Sequence, residues 1–167
     1  MSFKDIVRGY IEAAVTWKDA TIILSKVRSN YHMVYYHEAG RWVRQTTSGD
    51  GPKLVYYTIT ATVVEDTFYV LGGSLMDQNS TLVYALDLNS WKWTRLTTGG
   101  CTFTLDNIHG CSSWAYKGDL YLLGVIVGLP DSLGIFCYNI SNNHWKRIVT
   151  DGIPSPRYLT STFIKDD

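Results

Sequence analysis

One tripeptide form returns three times along the chain. Trp42-Val43-Arg44, Trp93-Thr94-Arg95 and Trp145-Lys146-Arg147 share the pattern Trp-x-Arg, spaced 51 and then 52 residues apart. A catalytic motif has to occur only once. A motif that recurs at a fixed interval of this length belongs to a repeated scaffold unit.

Aligning the chain on the tryptophans brings out the rest of the unit. Upstream of each lies an apolar run, a short charged turn and a second apolar run: "AAVTWKDATIIL" at 13–24, "TATVVEDTFYVL" at 60–71 and "SSWAYKGDLYLL" at 112–123. The turns are Lys18-Asp19, Glu65-Asp66 and Lys117-Gly118-Asp119. Short polar turns between β-rich runs read as hairpins. After the second run, copy two has Gly72-Gly73 and copy three keeps Gly124, whereas copy one has Ser25-Lys26. Glycine at this point suits a sharp exit from a strand. A loop of variable length follows, then a third strand: "YHMVYYH" from Tyr31, "TLVYALDL" from Thr81 and "LGIFCYNI" from Leu133. A tight polar turn leads into the Trp-x-Arg strand, with turn-forming residues in every copy. Helix signals are almost absent, and "IVRGYIEAAV" near the start alternates better than it winds. Twelve Tyr and six Trp against four Pro agree with a strand-rich chain.

Four short antiparallel strands repeated near this period build a β-propeller, one small sheet per blade. The pattern resembles kelch repeats. In that family a Gly-Gly pair follows the second strand, an aromatic residue and then an aspartate lie on the third, and a tryptophan lies on the fourth. Copy two is the best match, with "FYVLGG" at 68–73, Tyr84, Asp87 and Trp93. Copy three matches through "YLLG", Tyr138-Asn139 and Trp145, and copy one lacks the double glycine. "GIPSPR" at 152–157 resembles the Pro-x-Arg segment that precedes many kelch blades. The expected fold is therefore all-β: a partial kelch-type β-propeller of about three four-stranded antiparallel blades. The blades are expected at approximately 10–46, 57–97 and 109–149, within one domain over 1–167. Trp42, Trp93 and Trp145 are expected to pack between neighbouring blades.

A fourth unit begins and stops. "YLTSTFIKDD" at 158–167 aligns with "YTITATVVED" at 57–66, as the first strand of a further blade. Closed propellers need about four to eight blades. Three readings follow: a piece of a longer propeller, which the position of the break inside a hairpin favours; two copies joined in a six-bladed ring; or a truncated product that folds poorly.

Charge and cysteine content narrow the partners. Fifteen basic and fifteen acidic residues cancel, which argues against nucleic acid or an acidic membrane surface as the main partner. No apolar run approaches a membrane-spanning helix, and the start lacks a signal-peptide pattern. Cys101, Cys111 and Cys137 form no metal or disulfide pattern. The triplets Asn79-Ser80-Thr81 and Asn139-Ile140-Ser141 fit a glycosylation acceptor, but chance explains them without a secretion signal. The expectation is a reduced, cytoplasmic or nuclear protein.

No nucleophile elbow or phosphate loop is present, and Gly72-Gly73-Ser74 is explained by the repeat. His32, His37, His109 and His144 give no metal-ligand spacing. We expect no catalytic residues, no metal and no cofactor. Function in such scaffolds concentrates in loops held by rigid strands. Two loop sets, those joining strands two and three and those joining successive blades, supply the candidate binding residues Arg28, Tyr31, Tyr56, Tyr57, Asp77, Gln78, Asn79, Asp106, Asn107, Asp131 and Arg157. Their aromatic and charged groups suit an interface. The resemblance implies a module that binds a protein or peptide through one propeller face, as a ubiquitin-ligase substrate receptor or a cytoskeletal or scaffold adaptor. The alternative is a fragment of a propeller enzyme, galactose-oxidase-like or sugar-epimerase-like, acting on a small molecule.

Overall fold

The computed structural model describes residues 10–28, 31–52, 56–74, 83–100, 108–126 and 133–152. Every regular element among them is a strand. The first sheet runs β1 (Tyr10–Trp17), β2 (Ala20–Arg28), β3 (Tyr31–Glu38) and β4 (Arg41–Gln45), in that spatial order. The second contains β5 (Ser48–Gly49), β6 (Tyr56–Val64), β7 (Thr67–Ser74), β8 (Val83–Asp87) and β9 (Lys92–Leu96), ordered β5-β9-β8-β7-β6. The third runs β10 (Ile108–Tyr116), β11 (Asp119–Ile126), β12 (Leu133–Asn139) and β13 (His144–Ile148). Within the sheets the strands pair antiparallel except for the parallel contact of β5 with β9, and an isolated parallel bridge joins Gly99 to His144. This is the architecture of a partial β-propeller.

Residues that open each unit's first hairpin adopt left-handed backbone angles: Lys18 at φ 53, Glu65 at φ 54 and Lys117 at φ 50. Such angles give the turn a twist that matches the flanking strands. The strands that follow read as unbroken apolar runs because both of their faces are covered. Phe68, Tyr69, Val70 and Leu71 are all buried, the even positions toward the first sheet and the odd ones toward the third. One core therefore joins Ile22, Leu24 and Val34 to Phe68, Val70, Leu86 and Trp93. The other joins Tyr69, Leu71 and Val83 to Leu122, Phe136, Tyr138 and Trp145.

The first strands of the three units, β1, β6 and β10, lie side by side. Their facing positions carry small residues, which lets the strands approach closely. Ala13 and Ala61 pack into the first core, and Thr60 Oγ1 shares a hydrogen bond of 2.8 Å with Ser113 Oγ.

Three features depart from the reading of the sequence. The second sheet has five strands, because the linker from the first unit adds β5 to its outer edge. Gly72, Gly73 and Gly124 do not mark strand exits: the first two lie inside β7 and the third inside β11. Gly124 pairs with Gly134, over which the Phe136 ring lies so closely that an added Cβ on Gly134 would sit 2.7 Å from it. Ser25, which stands in register with Gly72 and Gly124, is completely buried. Serine thus stands, buried, where the double glycine is missing. Finally, Trp93 and Trp145 sit in the two cores, but Trp42 does not lie between sheets. It packs with Ile23 and Tyr35 on the other face of the first sheet, its ring 4.5 Å from that of His37. The fourth-strand tryptophan faces the preceding sheet, and no sheet precedes the first among the described residues.

Candidate functional site

Each sheet has two edges in the chain direction, and they differ in build. At the turn edge, the β1–β2 and β6–β7 hairpins meet across the first junction. Trp17 Nε1 donates to Asp66 Oδ1 at 2.9 Å, and Lys18 Nζ lies 3.0 Å from the same oxygen. Asn89 Nδ2 donates to Asp66 Oδ2 at 3.1 Å, and the Leu88 amide donates to the Asp66 carbonyl. The Asn89 hydrogen bond, then those from Lys18 and Trp17, hold the Asp66 carboxyl well below its ordinary value of 3.8, at about 2.

A carboxyl with a depressed folded-state pKa contributes stability above its unfolded pKa. The contribution of Asp66 is therefore complete above pH 3.8 and is lost as pH falls through about 2. A carboxyl titration followed by NMR is expected to place the Asp66 midpoint near 2, against 3.8 for an unrestrained aspartate. Asp66→Asn is expected to remove that part of the acid dependence of unfolding.

The family-type aspartate on the third strand is a turn cap. Asp87 Oδ1 accepts the Ser90 amide at 2.7 Å and the Asn89 amide at 2.9 Å. Those hydrogen bonds lower its pKa, the Ser90 backbone contribution being the largest. In the third sheet Asn139 does the same work, its Oδ1 accepting the Asn142 amide at 3.1 Å. Its Nδ2 meanwhile donates to Asp119 Oδ1 at 3.0 Å.

The two described thiols are suited to packing. Burial raises Cys111 to about 11, and burial is also the largest cause raising Cys137. Both thiols are therefore protonated near neutrality, and the nucleophilic form is the thiolate. Among the described residues no three His, Cys, Asp or Glu side chains gather as a metal-holding group. His144 is exposed, yet its ring lies over Gly99 and Gly100 of the linker between the second and third sheets.

The opposite, loop edge is where the candidate binding residues cluster by sequence. Arg28 ends β2 and pairs in register with Tyr31, which begins β3. Tyr56 begins β6 opposite Ser74, and Tyr57 follows it in the same strand. Ile108 opens β10 opposite Ile126. Asp77, Gln78, Asn79, Asp106, Asn107, Asp131 and Arg157 lie outside the described residues, as do Cys101 and the segment 158–167. Sequence reasoning missed the residues of the turn edge: Trp17, Asp66, Asn89 and Trp91. For Trp17 the signal was a departure from the repeat, since copies two and three carry Val64 and Tyr116 at its position.

The linkers complete the geometry. Gly49 adopts φ 81 and Gly100 φ 77, and each lies against the tryptophan strand of the next sheet. Ser48 donates its amide to the Trp91 carbonyl, and Trp145 donates its amide to the Gly99 carbonyl at 2.9 Å. Each sheet is thereby tied to its neighbour at the periphery as well as through the core.

With this geometry established, comparison with known proteins is specific. A family model described as the KLHDC2/KLHL20/DRC7 Kelch-repeats domain matches residues 22–167. Kelch domain-containing protein 10 of Homo sapiens is 30% identical over 136 residues, which cover 76% of this chain and 30% of that protein. The Bos taurus protein of the same name gives the same values. Acyl-CoA-binding domain-containing protein 4 of Arabidopsis thaliana is 36% identical over 58 residues, 35% of this chain and 8% of that protein. The chain thus spans about 30% of the length of the first curated relatives it matches.

Proposed function

This chain belongs to the kelch-repeat family, whose members are in general protein-interaction modules, and on that premise we propose that it recognises a protein or peptide partner through its loop edge. The observation that supports this reading is the alignment of β1, β6 and β10, together with Arg28, Tyr31 and Tyr56 at strand ends that flank the loops. The strands that carry these ends contribute Ile22, Leu24, Val34 and Ile59 to the first buried core. Tyr and Arg are residue types enriched in the energetic centres of interfaces. Asp77, Gln78, Asn79, Asp106, Asn107, Asp131 and Arg157 extend the same surface in this reading. The partner's context is a ubiquitin-ligase substrate or a cytoskeletal or scaffold assembly, in a cytoplasmic or nuclear setting.

The test is a pulldown with the 167-residue chain against a triple variant, Arg28→Ala, Tyr31→Ala and Arg157→Ala. A partner retained by the parent chain and lost by the variant, with unchanged thermal unfolding, supports the reading. Retention of the same partners by both chains overturns it.

A second copy of the chain is the partner we propose for the flank of the third sheet that meets no further sheet among the described residues. There Tyr116 is 43% exposed and Val149 90% exposed. Gly152 repeats the left-handed linker turn at φ 69, but an added Cβ there would meet nothing within 4 Å, unlike Gly49 and Gly100. Light scattering over a dilution series is expected to return twice the 18.9 kDa chain mass. A chain mass that stays single at every concentration overturns the assembly and leaves the loop-edge reading untouched.

A further inference from the structure

The two sheet junctions are built on one plan but filled differently. At the turn edge of the first, three aromatic rings close the space between the sheets. Trp17 and Tyr36 come from the first sheet and Trp91 from the β8–β9 turn of the second. Tyr36 meets Trp91 edge-on at 5.7 Å, and Trp17 lies 6.3 Å from Tyr36 and 6.4 Å from Trp91. Lys18 Nζ stands 4.3 Å from the centre of the Trp17 ring.

Register places the corresponding residues of the second junction. Tyr36 faces Ile22 and Val43 across its sheet, and Ala85 faces Tyr69 and Thr94 in the same way. Trp91 and Asn143 each stand two residues before the fourth-strand tryptophan and share φ 56. Trp17 and Val64 each end the first strand of their unit. The aromatic trio Trp17, Tyr36 and Trp91 is therefore replaced by Val64, Ala85 and Asn143. Asn143 is too short to close the gap, and its Oδ1 is engaged by the Tyr138 hydroxyl at 2.6 Å. A groove of about 320 Å³ remains, lined by Tyr69, Ala85, Leu96 and Ile140 with Asp87 and Lys92 among its polar residues. That volume is at the small end of the roughly 300–1,000 Å³ range of ligand pockets.

We propose that this groove is a binding site for one aromatic side chain, presented by an extended segment of a partner protein. The occupant is specified by the neighbouring junction, where the same backbone frame is filled by aromatic rings of this chain itself. Charged residues border this groove as they border the first junction, although they come from different positions of the unit. Lys92 supplies an ammonium for an incoming ring, as Lys18 does for Trp17. Asp87 supplies a carboxylate for a phenol or indole N–H, as Asp66 does for Trp17 Nε1. The groove stands at the turn edge, opposite the loops, so a partner held at the loop edge would leave it open.

The probe is N-acetyl-tyrosinamide, with N-acetyl-leucinamide as the aliphatic control, added to the full chain with methyl groups labelled for NMR. Saturable shifts confined to the Ala85, Leu96 and Ile140 methyls are expected with the aromatic amide only. Contacts from its ring protons to the Ala85 methyl should appear in nuclear Overhauser spectra. Ala85→Tyr, which installs the residue that fills the first junction, should abolish the shifts. Equal response to both amides, shifts spread over the surface, or persistence of the effect in a folded Ala85→Tyr chain would each overturn the site. If Ala85→Tyr does not fold, the Overhauser contacts in the parent chain decide the matter. An Arg28→Ala, Tyr31→Ala chain should keep the shifts, which separates failure of this site from failure of the loop-edge reading.

Discussion

Trp145→Ala is expected to lower the unfolding free energy by about 3–5 kcal/mol, the range for removing a large aromatic side chain from a packed core. Trp145 is 1% exposed and is the largest fully buried side chain among the described residues. Its ring lies 5.1 Å from that of Tyr138 and belongs to the core shared by the second and third sheets. Truncation would leave a cavity against Tyr138 and loosen the strand on which the Gly99–Gly100 linker rests. The third sheet would suffer first, because Trp145 is part of its attachment to the second. Trp42→Ala is the internal control, since Trp42 is only half-buried and faces away from both inter-sheet cores. Its cost should be smaller by about 2 kcal/mol, in line with the smaller burial. Urea unfolding followed by circular dichroism measures both. Equal midpoints for the two variants would show that the repeated tryptophans do not join sheets through these cores.

Gly49→Ala is the second large effect, expected to cost about 3 kcal/mol or more from left-handed strain together with a clash. A Cβ at Gly49 would overlap the Trp93 carbonyl oxygen, a backbone atom that cannot turn aside. The backbone there is at φ 81, which adds strain for any L side chain. The change would push the linker off β9 and break the parallel β5 contact. Gly40→Ala separates the two causes. Gly40 is also left-handed, at φ 77, but nothing lies within 4 Å of its added Cβ. It should cost only the backbone strain, about 1–2 kcal/mol. If both variants lose the same stability, close packing of linker against tryptophan strand is not what sets the cost at Gly49.

The turn edge shows how repeat and departure divide the work. Asp87 and Asn139 serve the same cap in successive units, so either side chain satisfies the repeat there. Tyr36, Ala85 and Cys137 occupy one register position and have three different surroundings. A repeat alignment reports the shared frame. The chemistry appears only where one copy departs from it and the neighbouring sheet leaves that departure covered or open.

The fold class, the strand order within each unit and the position of most turns are legible in the residues alone. Trp-x-Arg at 51 and 52 residues, polar turns at Lys18, Glu65 and Lys117, and apolar runs between them carry that information locally. An unbroken apolar run such as Phe68 to Leu71 is itself the mark of a strand covered on both faces. Tertiary structure alone decided which sheet each face meets, and so why Trp42 stands outside the inter-sheet cores that hold Trp93 and Trp145. It also decided that Gly49 and Gly100 act as close-packed linkers and that β5 joins the second sheet. The same holds for the turn edge, where residues 49 apart, Trp17 and Asp66, meet across a junction. Those facts depend on how neighbouring units stack, and the spacing of residues along one strand does not encode the neighbour that will fill its groove.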